Sequence, residues 1–130
     1  MSITTIDHHA TLRHDERDAL GTSLQAVLVD LLDLAAVGKQ LHWNVVGAGF
    51  RALHLQLDEL VDEVRELSDR VAERARALGW SPDGRSATVA ARSSLPELPD
   101  GELPAAAVIT HITAHLVAAT VTSRRAADHA

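Results

Sequence analysis

Between Phe50 and Leu78 the apolar residues Leu53, Leu57, Leu60, Val64, Leu67, Val71 and Leu78 fall at steps of three, four or seven. That spacing draws one stripe along one side of an α-helix and does not fit the two-residue alternation of a half-buried strand. At the usual rise per residue such a helix is about 43 Å long, far beyond an average globular helix and suited to a long bundle. Gly79 supplies its C-terminal stop.

The flanking segments follow from this element. From about Asp15 to His42, Leu20, Leu24, Val27, Leu28, Leu31, Leu34 and Ala35 again mark one helical face, which predicts a first long helix. Two glycines and the β-branched pair Val45 and Val46 between Asn44 and Gly49 predict a short loop that turns the chain back. Between Trp80 and Pro104 lie prolines at 82, 96, 99 and 104 and two Asp-Gly pairs, the pattern of a long crossover, with a short helix over Ala87 to Ser93. Pro104 suits the first position of a third long helix that carries Val108, Ile109, Ile112, Leu116 and Ala119 on one face and runs to the last residue.

Three long helices with one long connection predict a single all-α domain over residues 1–130, a ferritin-like four-helix bundle whose crossover joins helices two and three. A fourth helix has no counterpart, so the chain reads as C-terminally truncated, with one apolar face left for another subunit or a further segment.

Composition limits the chemistry. Without cysteine, any metal must be held by His, Asp or Glu, which favours hard or borderline ions such as iron. The formal charge of -6 and a single lysine, Lys39, argue against general attraction to nucleic acid, and Arg13 and Arg17 do not make a basic arm. One Phe, two Trp and no Tyr leave few platforms for stacking bases. The first eighteen residues hold no apolar run, so neither a signal peptide nor a membrane span is expected there, and the chain reads as a soluble cytoplasmic protein.

Two pairs on the second helix carry metal-ligand chemistry: His54 with Asp58, and Asp69 with Glu73, each four residues apart and so on a shared face. The acids also fit a solvated charged face, which already holds Glu59, Asp62, Glu63 and Glu66. Asp69 and Glu73, however, repel one another unless a cation lies between them. Asp58 and Asp69 stand about three turns, or roughly 16 Å, apart along the axis. One ion cannot touch both from one chain. Either there are two sites, or an antiparallel copy of the helix brings its Asp69 and Glu73 opposite His54 and Asp58, a contact that needs only a two-fold axis.

The run HWNVVGAGFRALHLQLDELVDEVRELSDRVAERARALG, from His42 to Gly79, resembles the core signature of the Dps family of mini-ferritins. The resemblance implies an iron ferroxidase site shared across a subunit two-fold. His42 of the HWN triplet and His54 and Asp58 of the F-x-x-x-H-x-x-x-D stretch would come from one chain, and Asp69 and Glu73 of D-x-x-x-E-R from the other. It further implies hydrogen peroxide as oxidant, two electrons drawn from paired ferrous ions, and ferric mineral stored inside a homo-oligomeric shell of twelve subunits built from two-fold dimers. Few ligands of mixed imidazole and carboxylate type leave positions open for an oxidant, and zinc, manganese or cobalt could use the same set.

Trp43 beside His42 reads either as an aromatic flanking the site or as a core residue at a helix end. His111 and His115 share a face at a metal-pair spacing but lie outside the motif, so a surface or interface role is expected. Asp7, His8, His9 and His14 fall in the N-terminal tail, where an accessory metal is the alternative to disorder. A di-iron centre inside one bundle would need Glu-x-x-His motifs, and no histidine here has Glu three residues before it. The alternative from another class is a DNA-associating structural protein of the same fold with little catalysis.

Overall fold

The computed structural model describes residues 13–128. Helix α1 spans His14–Asn44, strand β1 Val45–Val46, helix α2 Phe50–Ala77, the short helix α3 Ser86–Arg92, strand β2 Leu103–Pro104 and helix α4 Ala105–Asp128. The expected all-α bundle is present, with its three long helices within a residue or two of their predicted bounds. Two local expectations are corrected. Val45 and Val46 are not simply loop: they pair in parallel with Leu103 and Pro104, which draws the α1–α2 turn onto the end of the crossover. Pro104 accordingly sits in that pairing, one residue outside α4.

Local chemistry explains the ends of the elements. At the start of α1 the Glu16 carboxylate accepts from the Arg13 backbone N–H at 3.3 Å, and Asp15 and Glu16 complement the helix dipole. The turn into α2 uses Gly47 at φ 86° and Gly49 at φ 82°, a left-handed conformation that side chains resist.

The hairpin of α1 and α2 is tightly closed. A Cβ on Gly38 would lie 2.6 Å from Val61 Cγ2, so the absence of a side chain there sets the helix separation. Leu41, Leu57, Val61 and Val64 are buried in this seam, each stabilising the fold by about 1.5–3 kcal/mol through removal of apolar surface from water. At the other end of α1 the Trp80 ring lies on Gly21, where a Cβ would come within 2.3 Å of it.

The crossover is tied down by polar contacts. Gln25 donates to Asp83 O at 2.8 Å and accepts from Asp83 N–H at 2.9 Å. The buried carboxylate of Asp30 accepts from the Ser94 backbone N–H at 2.9 Å and from its hydroxyl, and Asp33 accepts from Ser93. Arg85, and then Thr88, hold the Asp83 carboxyl well below the usual carboxylate range by hydrogen bonding.

Helix α4 packs on α1. Leu34 of α1, Leu60 and Leu67 of α2, and Leu116 and Ala119 of α4 line an open groove of about 390 Å³ between the three long helices. Among the described residues no helix fills it, and Leu67, Val117 and Val121 stay exposed. By length and composition α1 and α4 could each cross a membrane, but half of the apolar window of α1 is consumed by the bundle core.

Candidate metal centre

The end of α1 and the first turns of α2 meet at His42 and His54. The Nδ1–H of His42 donates to the backbone carbonyl of His54 at 2.6 Å, and the Nδ1–H of His54 donates to the carbonyl of His42 at 2.7 Å. Because a carbonyl only accepts, both rings carry their proton on Nδ1 and turn the Nε2 lone pair away from the backbone. This is the arrangement metal-binding histidines use to fix tautomer and orientation.

The rings are stacked with centroids 3.7 Å apart and an interplanar angle of 10°. Each lone pair lies in its own ring plane. Two nearly parallel planes do not converge near the rings, so the two Nε2 atoms cannot both bind one ion in plane.

Asp58 sits one turn beyond His54 on α2. Its Oδ1 lies 3.9 Å from His42 Nε2 and accepts a charge-assisted hydrogen bond from the Lys39 ammonium. That hydrogen bond lowers the Asp58 carboxyl below its ordinary value, against a smaller opposing effect of desolvation. Lys39 escaped the sequence reading, although a residue three before His42 on a helix must share its face.

Asp69 and Glu73 are elsewhere. Both are exposed farther along α2, and neither makes a hydrogen bond or ion pair among the described residues. Among those residues no three His, Asp or Glu side chains form a ready metal cage. One chain thus brings together His42, His54 and Asp58 and leaves Asp69 and Glu73 apart.

The secondary candidates resolve differently. Trp43 is 69% exposed, so it is not a core aromatic of this chain. His115 is not a surface residue. It is fully buried, with ring nitrogens 2.6 Å from His111 O and 2.9 Å from Pro96 O. Both nitrogens are engaged, which removes it as half of a metal pair and makes it a pin between α4 and the crossover. His14 is the first residue of α1 rather than part of a tail, 3.5 Å from Asp18. Asp7, His8 and His9 lie outside the described residues.

A family model described as ferritin-like domain matches residues 22–130. The fine tangled pili major subunit of Haemophilus ducreyi is 43% identical over 66% of this chain and 46% of its own length. DNA protection during starvation protein 2 of Deinococcus radiodurans is 42% identical over 70% of this chain and 38% of its own. The chain therefore spans less than half the length of these curated relatives. Among solved structures, Dps from Microbacterium arborescens in the high iron form aligns with a TM-score of 0.84 and 33% identity, over 90% of this chain and 76% of that one.

Proposed function

Because the chain belongs to the ferritin-like domain family, and within it to the Dps family, we propose that it is a subunit of an iron-storing ferroxidase. Its site is completed across a two-fold contact between subunits. The Nε2 atoms of His42 and His54 and the carboxylate of Asp58 are one half, and Asp69 and Glu73 of a second copy are the other. The observation that carries this reading is the reciprocal histidine lock, which turns two Nε2 lone pairs away from the backbone in one chain, while the complementary acids stand exposed farther along the same helix with no partner among the described residues.

The chemistry follows from the donor set. Two ferrous ions, the substrate, held side by side each give up one electron to hydrogen peroxide, which is reduced to two hydroxides; the ferric product passes to storage. The lock fixes each imidazole, and the carboxylates offset the positive charge. The high iron form in which the Microbacterium arborescens relative is described supports iron as cargo. The oligomer is a closed homo-oligomeric shell, a dodecamer, in the cytoplasm. The DNA protection named for the Deinococcus relative gives a second reading for the assembled protein, and a salt-dependent shift of duplex DNA on gels would support it.

Mixed subunits test the shared site. His54→Ala and Glu73→Ala chains are each expected to be inactive in peroxide-driven ferrous oxidation. Reassembled together at equal amounts, they should regain about a quarter of the wild-type sites, because half of the dimers are mixed and each of those holds one intact site. If mixing restores nothing, the site is not shared between subunits.

A further inference from the structure

We propose that His115 is a protonation latch. With both ring nitrogens protonated it holds the crossover to α4, and loss of one proton frees the stretch of crossover that walls a groove along α1. The latch stands apart from the His42 and His54 site and does not depend on what that site holds.

Both ring nitrogens of His115 face carbonyl oxygens. Nδ1 lies 2.6 Å from His111 O, one turn back on α4, and Nε2 lies 2.9 Å from Pro96 O in the crossover. A carbonyl oxygen only accepts, and a neutral imidazole has one N–H and one lone pair. Either neutral tautomer therefore sets a lone pair against a carbonyl oxygen at hydrogen-bond distance. Only the imidazolium satisfies both contacts. His42 and His54 differ, because each has a single nitrogen on a carbonyl and needs a proton only there.

The two contacts are not equally easy to give up. His111 O belongs to the helical turn that carries His115, whereas Pro96 lies in irregular chain between α3 and β2. A ring with one proton keeps the bond inside its own helix and releases Pro96. His115 is fully buried, so water cannot take over from Pro96 unless that chain moves. The titratable and charged groups on the surrounding elements are Asp30 and Asp33 of α1, which accept from Ser94 and Ser93, Glu97 after Pro96, Arg92 at the end of α3, His111 on α4, and Glu63 of α2 across the groove from Leu116. Among the described residues no carboxylate pairs with the ring, so the second proton is held only through the carbonyl contacts.

Release has somewhere to act. Two residues beyond Pro96, Leu98 and Pro99 wall a groove of about 590 Å³ whose other side includes Gln40 and Trp43 of α1. Leu98 is half-buried and packs against the core. Because the Pro96 bond needs the proton, it is complete on the acid side of the ring's titration and is lost as pH rises through it. The groove is therefore closed in acid and loosens toward alkali.

Nitrogen-15 spectra of the histidine-labelled protein, with His115 assigned through the α4 backbone, test the ring. It should show two protonated nitrogens at about pH 5 and one bare nitrogen by about pH 9, a span that brackets ordinary imidazole titration. The chain has no cysteine, so Leu98→Cys gives a single thiol that reports on the groove wall. Its rate with a thiol reagent, divided by that of free cysteine at the same pH, should rise over this span by at least about threefold. The rise should not exceed about tenfold per pH unit, the limit for release of one proton. Adding His115→Gln, which leaves a neutral donor in place of the ring, should make the normalised rate flat. A wild-type ring that is neutral at about pH 5, or still doubly protonated at about pH 9, would overturn the latch whether or not the variants fold. So would a Leu98→Cys rate that stays flat, or one whose rise survives His115→Gln.

Discussion

The two ends of α2 carry the same kind of residues and stand in opposite states. Near its start, His54 and Asp58 are engaged with α1, through the carbonyl of His42 and the ammonium of Lys39. Toward its end, Asp69 and Glu73 face solvent with no partner among the described residues. Both pairs use the i, i+4 spacing, so spacing alone does not account for the difference. The start of α2 is buttressed because the hairpin turn folds α1 against it. Among the described residues, Asp69 and Glu73 at the far end have no such partner. Preorganisation at one end and availability at the other are what a site completed by a second copy requires.

Substitutions at the two ends can break this contrast. His54→Ala and Glu73→Ala are each expected to slow ferrous oxidation by about a hundredfold or more. Only His54→Ala should also lower the unfolding temperature, since it removes one arm of the lock. Equal thermal stability of the two variants would mean that the histidines do not buttress the hairpin.

The seam between α1 and α2 sharpens the comparison from another side. Gly38→Ala drives a methyl group toward Val61 Cγ2, and denaturant unfolding should register a loss of about 1–3 kcal/mol. Because Gly38 lies one turn before His42, activity should fall along with stability. A variant of full stability would show that the helices have slack to part.

The docking of the crossover on α1 at Asp83, outside both residue pairs of α2, gives the smallest effect and serves as a control. Asp83 is held ionised by Arg85 and Thr88, so its folded-state value lies below the ordinary 3.8. A depressed carboxylate contributes stability that is complete above its unfolded value and is lost as pH falls through the folded one. Docking of the crossover should therefore be insensitive to pH from neutrality to about pH 4 and weaken only below that. Amide exchange at Gly84 and Arg85 across this range would measure it. Loosening near pH 6 would show that another group holds the segment.

What the sequence disclosed and what it hid divide along physical lines. The apolar stripe of α2 and the prolines of the crossover act locally, so the long helices and their order were legible. The five candidate ligands were legible from the motif, and their division between two places followed from helical rise. The reciprocal lock was not legible, because it depends on where a turn places two backbone carbonyls. Lys39 was counted as charge rather than placed on a face, although its spacing to His42 was available. His115 was expected at a surface or interface because burial depends on how the crossover lies over α4. The pairing of Val45 with Leu103 joins segments too distant for any local pattern to reveal.

That pairing bears on the order of folding. The histidine contacts span twelve residues, whereas β1 and β2 close a much longer loop that includes the whole of α2 and the crossover. Short loops cost less chain entropy and form first. The paired imidazoles of His42 and His54 are therefore expected to be set with the α1–α2 hairpin, before α4 docks. A nascent chain would then present the imidazoles of the proposed site early, and early protection of the His54 amide in pulse-labelled refolding, ahead of Leu103, would reveal that sequence of events.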